Sequence, residues 1–256
     1  MDLELNGKRV LVTGGSKGIG RAIAEVLAAE GCRVMIASRD AKTLEATANE
    51  IETKTSSEVT WKAMDLARRG APEALAAAAG DLDILVNNAG AIPGGDLIGV
   101  DEETWRQAWD LKVFGYINLT RVVYAKMKLK RSGVILNIIG AAGERMNSAY
   151  IAGSTGNAAL MAFTRALGGS SHADGIRVLG INPGPVETER LVTLNRKLAE
   201  TKLGDANRYR ELYQSMPFGR PGRPEEVAHA AGFLVSPLSG YTSGCIVTID
   251  GGKTNQ

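Results

Sequence analysis

The fold of this chain is predicted by the stretch Val10-Leu11-Val12-Thr13, Gly14-Gly15-Ser16-Lys17-Gly18-Ile19-Gly20 and Arg21-Ala22-Ile23-Ala24-Glu25-Val26-Leu27. It is typical of a buried strand, a glycine-rich turn and a helix. Glycines in such a turn let the backbone approach a pyrophosphate, and the unpaired N–H groups at the helix start hold the anion. The spacing of Gly14, Gly18 and Gly20 is informative because these glycines lie between a predicted strand and a predicted helix. We therefore predict a dinucleotide site that includes Gly14, Ser16, Lys17, Gly18, Ile19 and Gly20.

The next apolar run, residues 32–37, ends in Ser38-Arg39-Asp40. An NAD-selective site places an acidic residue first at this point, against the ribose hydroxyls. Ser38 and Arg39 instead suit a 2′-phosphate, so the sequence favours NADP(H), with NAD(H) as the second choice. Lys17 either adds a second positive charge near that phosphate or is a solvated surface lysine.

Composition limits the classes of protein to consider. A chain of 256 residues with 44% hydrophobic content is long enough for one large domain, so we expect residues 1–256 to form a single unit. The net charge of +2, with scattered basic residues, argues against a nucleic-acid partner. No apolar run is long enough to span a membrane and no signal-type segment is present, so we expect a cytoplasmic protein. His172 and His229 lack ligand spacing, and no metal site is predicted.

Strand-like and helical patterns alternate along the chain. After the first unit, strand-like runs lie at 59–64, 84–87, 134–139, 178–182 and 245–249. Helical patterns lie at 41–53, 72–79, 102–128, 153–170 and 224–234. This order predicts an α/β fold, a Rossmann-like doubly wound parallel sheet with helices on both faces. Ligands of such sheets lie across the carboxyl ends of the strands, where the site residues should be sought.

Three predicted strands end in polar or glycine-rich segments: Asp65-Leu66, Asn87-Asn88-Ala89-Gly90 and Asn182-Pro183-Gly184-Pro185-Val186-Glu187-Thr188. Together with the glycine loop, they resemble the short-chain dehydrogenase/reductase family over essentially the whole chain. The resemblance implies hydride transfer between a nicotinamide cofactor and a small carbonyl or alcohol substrate, by a homodimer or homotetramer.

The resemblance also implies a role for each strand end. Asp65 would accept a hydrogen bond from the adenine amino group, with the Leu66 backbone beside it. Asn88, Ala89 and Gly90 would line the adenosine ribose and the end of the fourth strand. The turn at Pro183 and Gly184 would lie under the nicotinamide, with Val186 and Thr188 contacting its carboxamide region.

The catalytic positions depart from this family, whose members generally use a tyrosine, a lysine, a serine and an asparagine. Counting back from residues 157–167, the tyrosine and lysine positions fall on Gly153 and Asn157. The serine position falls on Gly140 and the asparagine position on Lys112. The interval from Gly140 to Gly153 keeps the spacing of the family, so these alignments support one another.

One hypothesis is that lysine and asparagine have exchanged places, as Lys112 and Asn157. Tyr150, one helical turn before Gly153, could then bring its phenol toward the place of the missing tyrosine, after a shift of about 4.5 Å. Ser154 or Ser148 would be the oxyanion donor. The alternatives are a lysine that extends to solvent at Lys112 and a packed aromatic at Tyr150.

Residues 189–216 occupy the place of the substrate lid of the family, and we call them the lid segment. Its alternating charges are typical of the solvated face of a helix, while its basic surplus could attract an acidic substrate. Tyr209 and Tyr213 could reach into the cleft when the lid closes.

Two functions remain open. One is an NADP-dependent oxidoreductase with a non-standard proton relay, and the other is a catalytically inactive protein that binds or senses the nucleotide or serves as a scaffold. We favour the enzyme because the cofactor-facing residues and a lid-length segment are both present.

Overall fold

A single parallel sheet of seven strands runs through the molecule, whose computed structural model describes residues 1–255. The strands are β1 (Arg9–Thr13), β2 (Arg33–Ser38), β3 (Val59–Ala63), β4 (Ile84–Asn87), β5 (Gly133–Ile138), β6 (Ile176–Pro183) and β7 (Ile246–Ile249). Their order across the sheet is β3-β2-β1-β4-β5-β6-β7. The predicted Rossmann-like, doubly wound α/β fold is confirmed.

Helices connect the strands and cover both faces of the sheet. They are α1 (Gly18–Ala29), α2 (Ala41–Thr55), α3 (Ala71–Ala79), α4 (Glu102–Trp109), α5 (Gly115–Lys130), α6 (Ile151–Ser170), α7 (Glu189–Leu203) and α8 (Pro224–Val235). Several start where a short polar side chain caps them. Asp40 accepts a hydrogen bond from the Thr43 N–H at the start of α2, and Asp101 does the same for Thr104 at the start of α4. Within residues 1–255, no helix is both long and apolar enough to cross a membrane.

The alternation of side chains along the strands builds one apolar cluster on each face of the sheet. Val10 and Val12 of β1 belong to the cluster that also holds Ile23 of α1 and Val227 of α8. Leu11, between them, belongs to the opposite cluster with Leu119 of α5. Both faces of the sheet are therefore covered, as the long apolar runs of its strands require.

The strand order reverses between β1 and β4, because the chain builds outward from β1 to β3 and then returns to add β4 on the other side. The connections on the two sides of this point leave the sheet in opposite directions, which opens a crevice at the carboxyl ends of the strands. The glycine loop follows β1 and the segment 88–90 follows β4, so both reach this crevice.

The predicted helix at 102–128 is wrong as a single regular helix. A π-helical turn, Asp110–Phe114, interrupts it between α4 and α5. Such turns insert one extra residue and re-aim the side chains around them, often at functional sites. The turn contains Lys112, one of the predicted catalytic residues. Helical periodicity in the sequence does not reveal it, because the apolar pattern continues on either side.

Two other boundaries differ near the site. The helix predicted at 153–170 begins at Ile151, with Tyr150 as the residue that precedes its first turn. The lid segment holds α7 and a 3₁₀-helical stretch, Ala206–Ser215. Tyr209 and Tyr213 are buried there against Ala199, with their rings 5.8 Å apart in an edge-on arrangement. They stabilise the lid itself and do not line the crevice, because the apolar face of α7 covers them.

Candidate active site

A cavity of about 1060 Å³ lies at the carboxyl ends of the central strands. The glycine loop forms one side of it, and the ends of β4, β5 and β6 form its floor. The start of α6, the start of the lid segment and the C-terminal segment complete the wall. This is the crevice in which the sequence predicts the dinucleotide and the substrate.

The glycine loop has the geometry of an anion cradle. Gly14 and Gly18 adopt positive φ angles of 64° and 55°, which side chains disfavour. No side chain caps the start of α1, and no acidic residue lies in its first turn. The first N–H groups of the helix are therefore left for an anion such as a pyrophosphate. Lys17, Gly18 and Ile19 line the cavity with Gly14.

Gly20 and Ser16 support the glycine loop and do not form part of the cavity wall. A Cβ atom on Gly20 would overlap the Asn88 side chain and the Gly14 carbonyl, so this glycine permits close packing beneath the loop. The Ser16 carbonyl accepts a hydrogen bond from the Thr47 hydroxyl at 3.1 Å, which ties the loop to α2. Neither residue lines the cavity.

Asn88 fixes the loop against the end of β4. Its Nδ2 donates to the carbonyl oxygens of Thr13 and Gly14, at 3.0 and 3.2 Å. The Thr13 hydroxyl accepts from the N–H groups of Asn88 and Ala89, at 2.9 and 3.1 Å. Asn88, Ala89 and Gly90 all line the cavity, and these bonds hold the glycine loop against the end of β4.

The residues predicted to contact the adenine and the 2′-phosphate lie outside the cavity, at the ends of β2 and β3. Arg39 is exposed and forms no ion pair within residues 1–255, and the Ser38 hydroxyl is buried without a hydrogen-bond partner. The Asp65 carboxylate accepts from the Ala67 N–H at 3.2 Å. Leu66 is buried in the core, which leaves its backbone for a ligand. An exposed guanidinium that has no ion pair is suited to a phosphate.

Lys17 forms an ion pair with Glu189 across 3.0 Å, between the glycine loop and the first residue of α7. Both side chains are more than half exposed, so the pair contributes little to stability. Lys17 is thus neither free in solvent nor reserved for a phosphate. The pair instead joins the loop to the lid segment.

The end of β6 forms the floor beside the lid segment. The residues that the sequence assigns to the nicotinamide side, Pro183, Gly184, Val186 and Thr188, all line the cavity. The Thr188 hydroxyl accepts from the Leu191 N–H at 3.4 Å and so caps α7. A Cβ atom on Gly18 would lie 3.0 Å from the Thr188 methyl group, which shows how closely the loop and lid approach.

Lys112 points into the cavity and lies against Gly90. Its Nζ donates to the Ile139 carbonyl at 2.6 Å and lies 5.9 Å from the centroid of the Tyr116 ring. Burial lowers the pKa of Lys112 to about 8, and the positive charge of Arg190 lowers it too. A Cβ atom on Gly90 would lie 2.6 Å from Lys112 Cδ, so the glycine makes room for the lysine.

Tyr150 also reaches the cavity, and Gly153 makes this possible. A Cβ atom on Gly153 would overlap Cε1 and Cζ of the Tyr150 ring. The ring therefore occupies the space that a side chain at position 153 would enter. No displacement of the helix is required for this. Burial raises the pKa of Tyr150, while the positive charge of Arg190 opposes that shift.

Asn157 and Gly140 form a third such pair. A Cβ atom on Gly140 would lie 2.9 Å from Asn157 Nδ2, too close for a serine at this position without movement of the amide. Asn157 Oδ1 is buried and has no hydrogen-bond partner in the described chain. Such an orphaned acceptor beside a cavity is available to a ligand or an ordered water.

Ser148 and Ser154, the two candidate oxyanion donors, do not line the cavity. Ser154 Oγ accepts from the Asn147 N–H at 3.0 Å and lies outside the cavity. Ser148 is exposed and does not line the cavity either. Ser154 therefore holds the turn that leads into Tyr150, and its hydroxyl is not directed at the place of an oxyanion.

Sequence reasoning missed the position of Arg190. This residue, in the first turn of α7, lines the cavity and donates through Nη2 to the Ile92 carbonyl. Arg145 and Lys253 line the same cavity, and Arg145 donates to the Lys253 carbonyl at 2.7 Å. The only available signal was the place of Arg190, two residues after Thr188. The involvement of the C-terminal segment had no signal in the sequence.

A comparison with family models decides the family. The model described as short chain dehydrogenase matches residues 8–199 of this chain. The chain belongs to this family. Lys112, Gly140, Gly153 and Asn157 are the positions at which the sequence predicts departures from the usual catalytic residues of this family.

Known members of the short chain dehydrogenase family match over nearly their full length. A 3-oxoacyl-[acyl-carrier-protein] reductase from Chlamydia muridarum is 32% identical over 98% of this chain and 99% of its own. A galactitol 2-dehydrogenase from Cereibacter sphaeroides is 33% identical over 98% and 96%. The crystal structure of an L-sorbose reductase from Gluconobacter frateurii, complexed with NADPH and L-sorbose, superposes with a TM-score of 0.92 at 30% identity, over all of both chains.

Proposed function

We propose that this chain is an NADP(H)-dependent oxidoreductase that reduces a small carbonyl compound or oxidises the corresponding alcohol, with Tyr150 as the proton donor. The observation that carries the proposal is the position of the Tyr150 ring. It faces the cavity from the space above Gly153, where the family resemblance implies a tyrosine.

Several features support a dinucleotide cofactor. The uncapped start of α1 and the positive φ angles of Gly14 and Gly18 suit the pyrophosphate. The exposed Arg39 guanidinium and the unsatisfied Ser38 hydroxyl suit a 2′-phosphate and so favour NADP(H). NADPH is also present in the L-sorbose reductase complex. When bound, the cofactor supplies or accepts the hydride.

The residues of this chain handle the proton and the developing charge. Burial keeps the Tyr150 phenol protonated at neutral pH, so it can give its proton to the carbonyl oxygen and regain one from water. The Lys112 ammonium places a positive charge in the same cavity, where it stabilises an oxyanion. The free Oδ1 of Asn157 can accept a hydrogen bond from a relaying water. Ser154 positions the turn before Tyr150.

The decisive experiment compares Tyr150→Phe with the unchanged protein. NADPH consumption is followed at saturating cofactor with a panel of aldehydes, ketones, quinones and imines. We expect kcat to fall by about 10²–10⁴-fold, because general acid catalysis contributes this much. NADPH affinity should stay the same. Tyr241→Phe is the matched control, since Tyr241 is fully exposed and outside the cavity.

Two results would contradict the proposal. If Tyr150→Phe turns over substrate as fast as the unchanged protein, another group donates the proton. If the unchanged protein binds NADPH tightly and consumes it with no member of the panel, the alternative of a catalytically inactive nucleotide-binding protein is favoured.

A further inference from the structure

The charged side chains around the cavity do not balance. Basic side chains at the lining are Lys17, Lys112, Arg145, Arg190 and Lys253, and acidic ones are Glu189 and Asp250. Both acidic groups are already engaged. Glu189 pairs with Lys17, and the Asp250 carboxylate accepts from the N–H groups of Gly252 and Thr254, at 2.8 and 2.7 Å. Within residues 1–255, the other four basic groups form no ion pair.

Arg190 differs from the other basic residues of the lid segment. Arg208 pairs with Glu211, and the guanidinium groups of Arg196 and Arg210 lie over the Tyr209 ring. These groups, with Lys197 and Lys202, lie outside the cavity, as the solvated face of a helix predicts. Only Arg190 among the basic residues of the lid segment lines the cavity.

The geometry of Arg190 leaves most of its donors free. A guanidinium carries five N–H donors in a planar fork that matches a carboxylate. One of these donors is used by the backbone carbonyl of Ile92. A carbonyl oxygen offers no compensating charge, and a second cation, Lys112, faces the same cavity. Two neighbouring cations without a counterion are unfavourable, so an anion entering the cavity would be stabilised.

We propose that the substrate of this site carries a carboxylate and that Arg190 binds it. This proposal rests on the proposed function, which it deepens by naming the class of substrate. Arg190 lies beside Tyr150, whose phenol meets the carbonyl oxygen in that mechanism. The carboxylate is therefore close to the reacting carbon, as in a 2-oxo or 3-oxo acid or the matching hydroxy acid.

The cofactor phosphates are the competing anions. The uncapped start of α1 is available to those phosphates at the glycine loop, and the exposed Arg39 lies at the end of β2. Arg190 instead contacts Ile92, in the segment after β4, and lies beside Tyr150 at the start of α6. It is thus directed toward the substrate side.

The experiment separates binding from turnover. Calorimetry measures the binding of 3-oxobutanoate and of its methyl ester to the protein saturated with NADP⁺, a complex that cannot react. The same two compounds, with 2-oxobutanoate and its methyl ester, are then tested as substrates with NADPH. Variants are Arg190→Gln and, as the control, Lys197→Gln, which removes one positive charge from the exposed face of α7.

We expect the unchanged protein to prefer each acid over its ester by at least about tenfold in affinity and in kcat/KM. Arg190→Gln should weaken acid binding by about 10–100-fold, as expected for a charge-assisted hydrogen bond, and should abolish the preference. Lys197→Gln should keep it.

The proposal is overturned if the acid and the ester bind equally well, or if Arg190→Gln weakens NADP⁺ binding and leaves the acid preference intact. It stands, while the proposed function fails, if the acid binds through Arg190 but no compound is reduced. If only the esters and neutral ketones are reduced, the proposed function stands and the proposal of a carboxylate substrate is contradicted.

Discussion

The two sides of the cavity use their polar groups in opposite ways. On the side of the glycine loop, the Asn88 side chain donates hydrogen bonds to the backbone of Thr13 and Gly14. The Thr13 hydroxyl accepts hydrogen bonds from the backbone of Asn88 and Ala89. On the facing side, Asn157 Oδ1 has no partner, and Lys112 and Arg190 each donate to a backbone carbonyl. One side is thus internally satisfied and offers its backbone to a ligand. The other side keeps its side chains available for chemistry.

The facing side also places a glycine against each of three polar side chains. Gly90 makes room for Lys112, Gly140 for Asn157 and Gly153 for Tyr150. In two pairs the glycine and the polar residue come from distant parts of the chain, and in the third Tyr150 precedes α6 while Gly153 lies in its first turn. In each pair, the glycine leaves the space that the polar side chain occupies.

Of the substitutions that test the difference between the two sides, Gly153→Ala should have the largest effect on kcat. The added methyl group would overlap the Tyr150 ring and move it out of the cavity. Because a misplacement of about 1 Å can cost a factor of about 10², we expect kcat to fall by about 100-fold. Steady-state NADPH oxidation and thermal unfolding measure activity and stability together.

The control for this change is Gly169→Ala, in the same helix, where an added methyl group has no neighbour within 4 Å. It should leave kcat unchanged and stabilise the helix by up to about 1 kcal/mol. Unchanged turnover in Gly153→Ala would show that the position of the Tyr150 ring does not matter.

A smaller effect is expected from Lys112→Met. The ammonium already donates to Ile139, so its loss should cost about 30-fold in kcat, less than the loss of a direct oxyanion donor. Because burial lowers the pKa of Lys112 to about 8, the charge is present below that pH and lost above it. The rate of carbonyl reduction should therefore fall as the pH rises through about 8.

In Lys112→Met this falling limb should be absent from the pH profile, while Lys62→Met, an exposed change on β3, should retain it. A limb that persists unchanged in Lys112→Met would assign the titration to another group and remove Lys112 from the mechanism.

The smallest effect should come from Arg39→Gln, which changes cofactor binding near the glycine loop and not the catalytic step. Arg39→Gln removes one exposed charge, so we expect the Kd for NADPH to rise by about tenfold, with the Kd for NADH unchanged. Quenching of protein fluorescence by each cofactor measures both constants. Arg121→Gln, an exposed change on α5, is the control. Equal weakening of both cofactors by Arg39→Gln would argue against a contact with the 2′-phosphate.

Much of the fold could be predicted because it depends on local patterns. The strand, turn and helix of residues 10–27 and the polar strand ends at 65, 88 and 184 are contiguous signals. The π-helical turn at Asp110–Phe114 could not be predicted, since its apolar pattern resembles that of the flanking helices. The burial of Tyr209 and Tyr213 inside the lid segment depends on how that segment folds back on α7.

The sequence by itself determined the sheet and the glycine loop, because each is encoded in neighbouring residues or fixed intervals. Only the tertiary structure decided which side chains line the crevice beside them. The hydrogen bond from Arg190 to Ile92 joins residues 98 apart, and the ion pair of Lys17 with Glu189 joins residues 172 apart. Such contacts depend on the folding of separate segments around one crevice, so no local pattern encodes them.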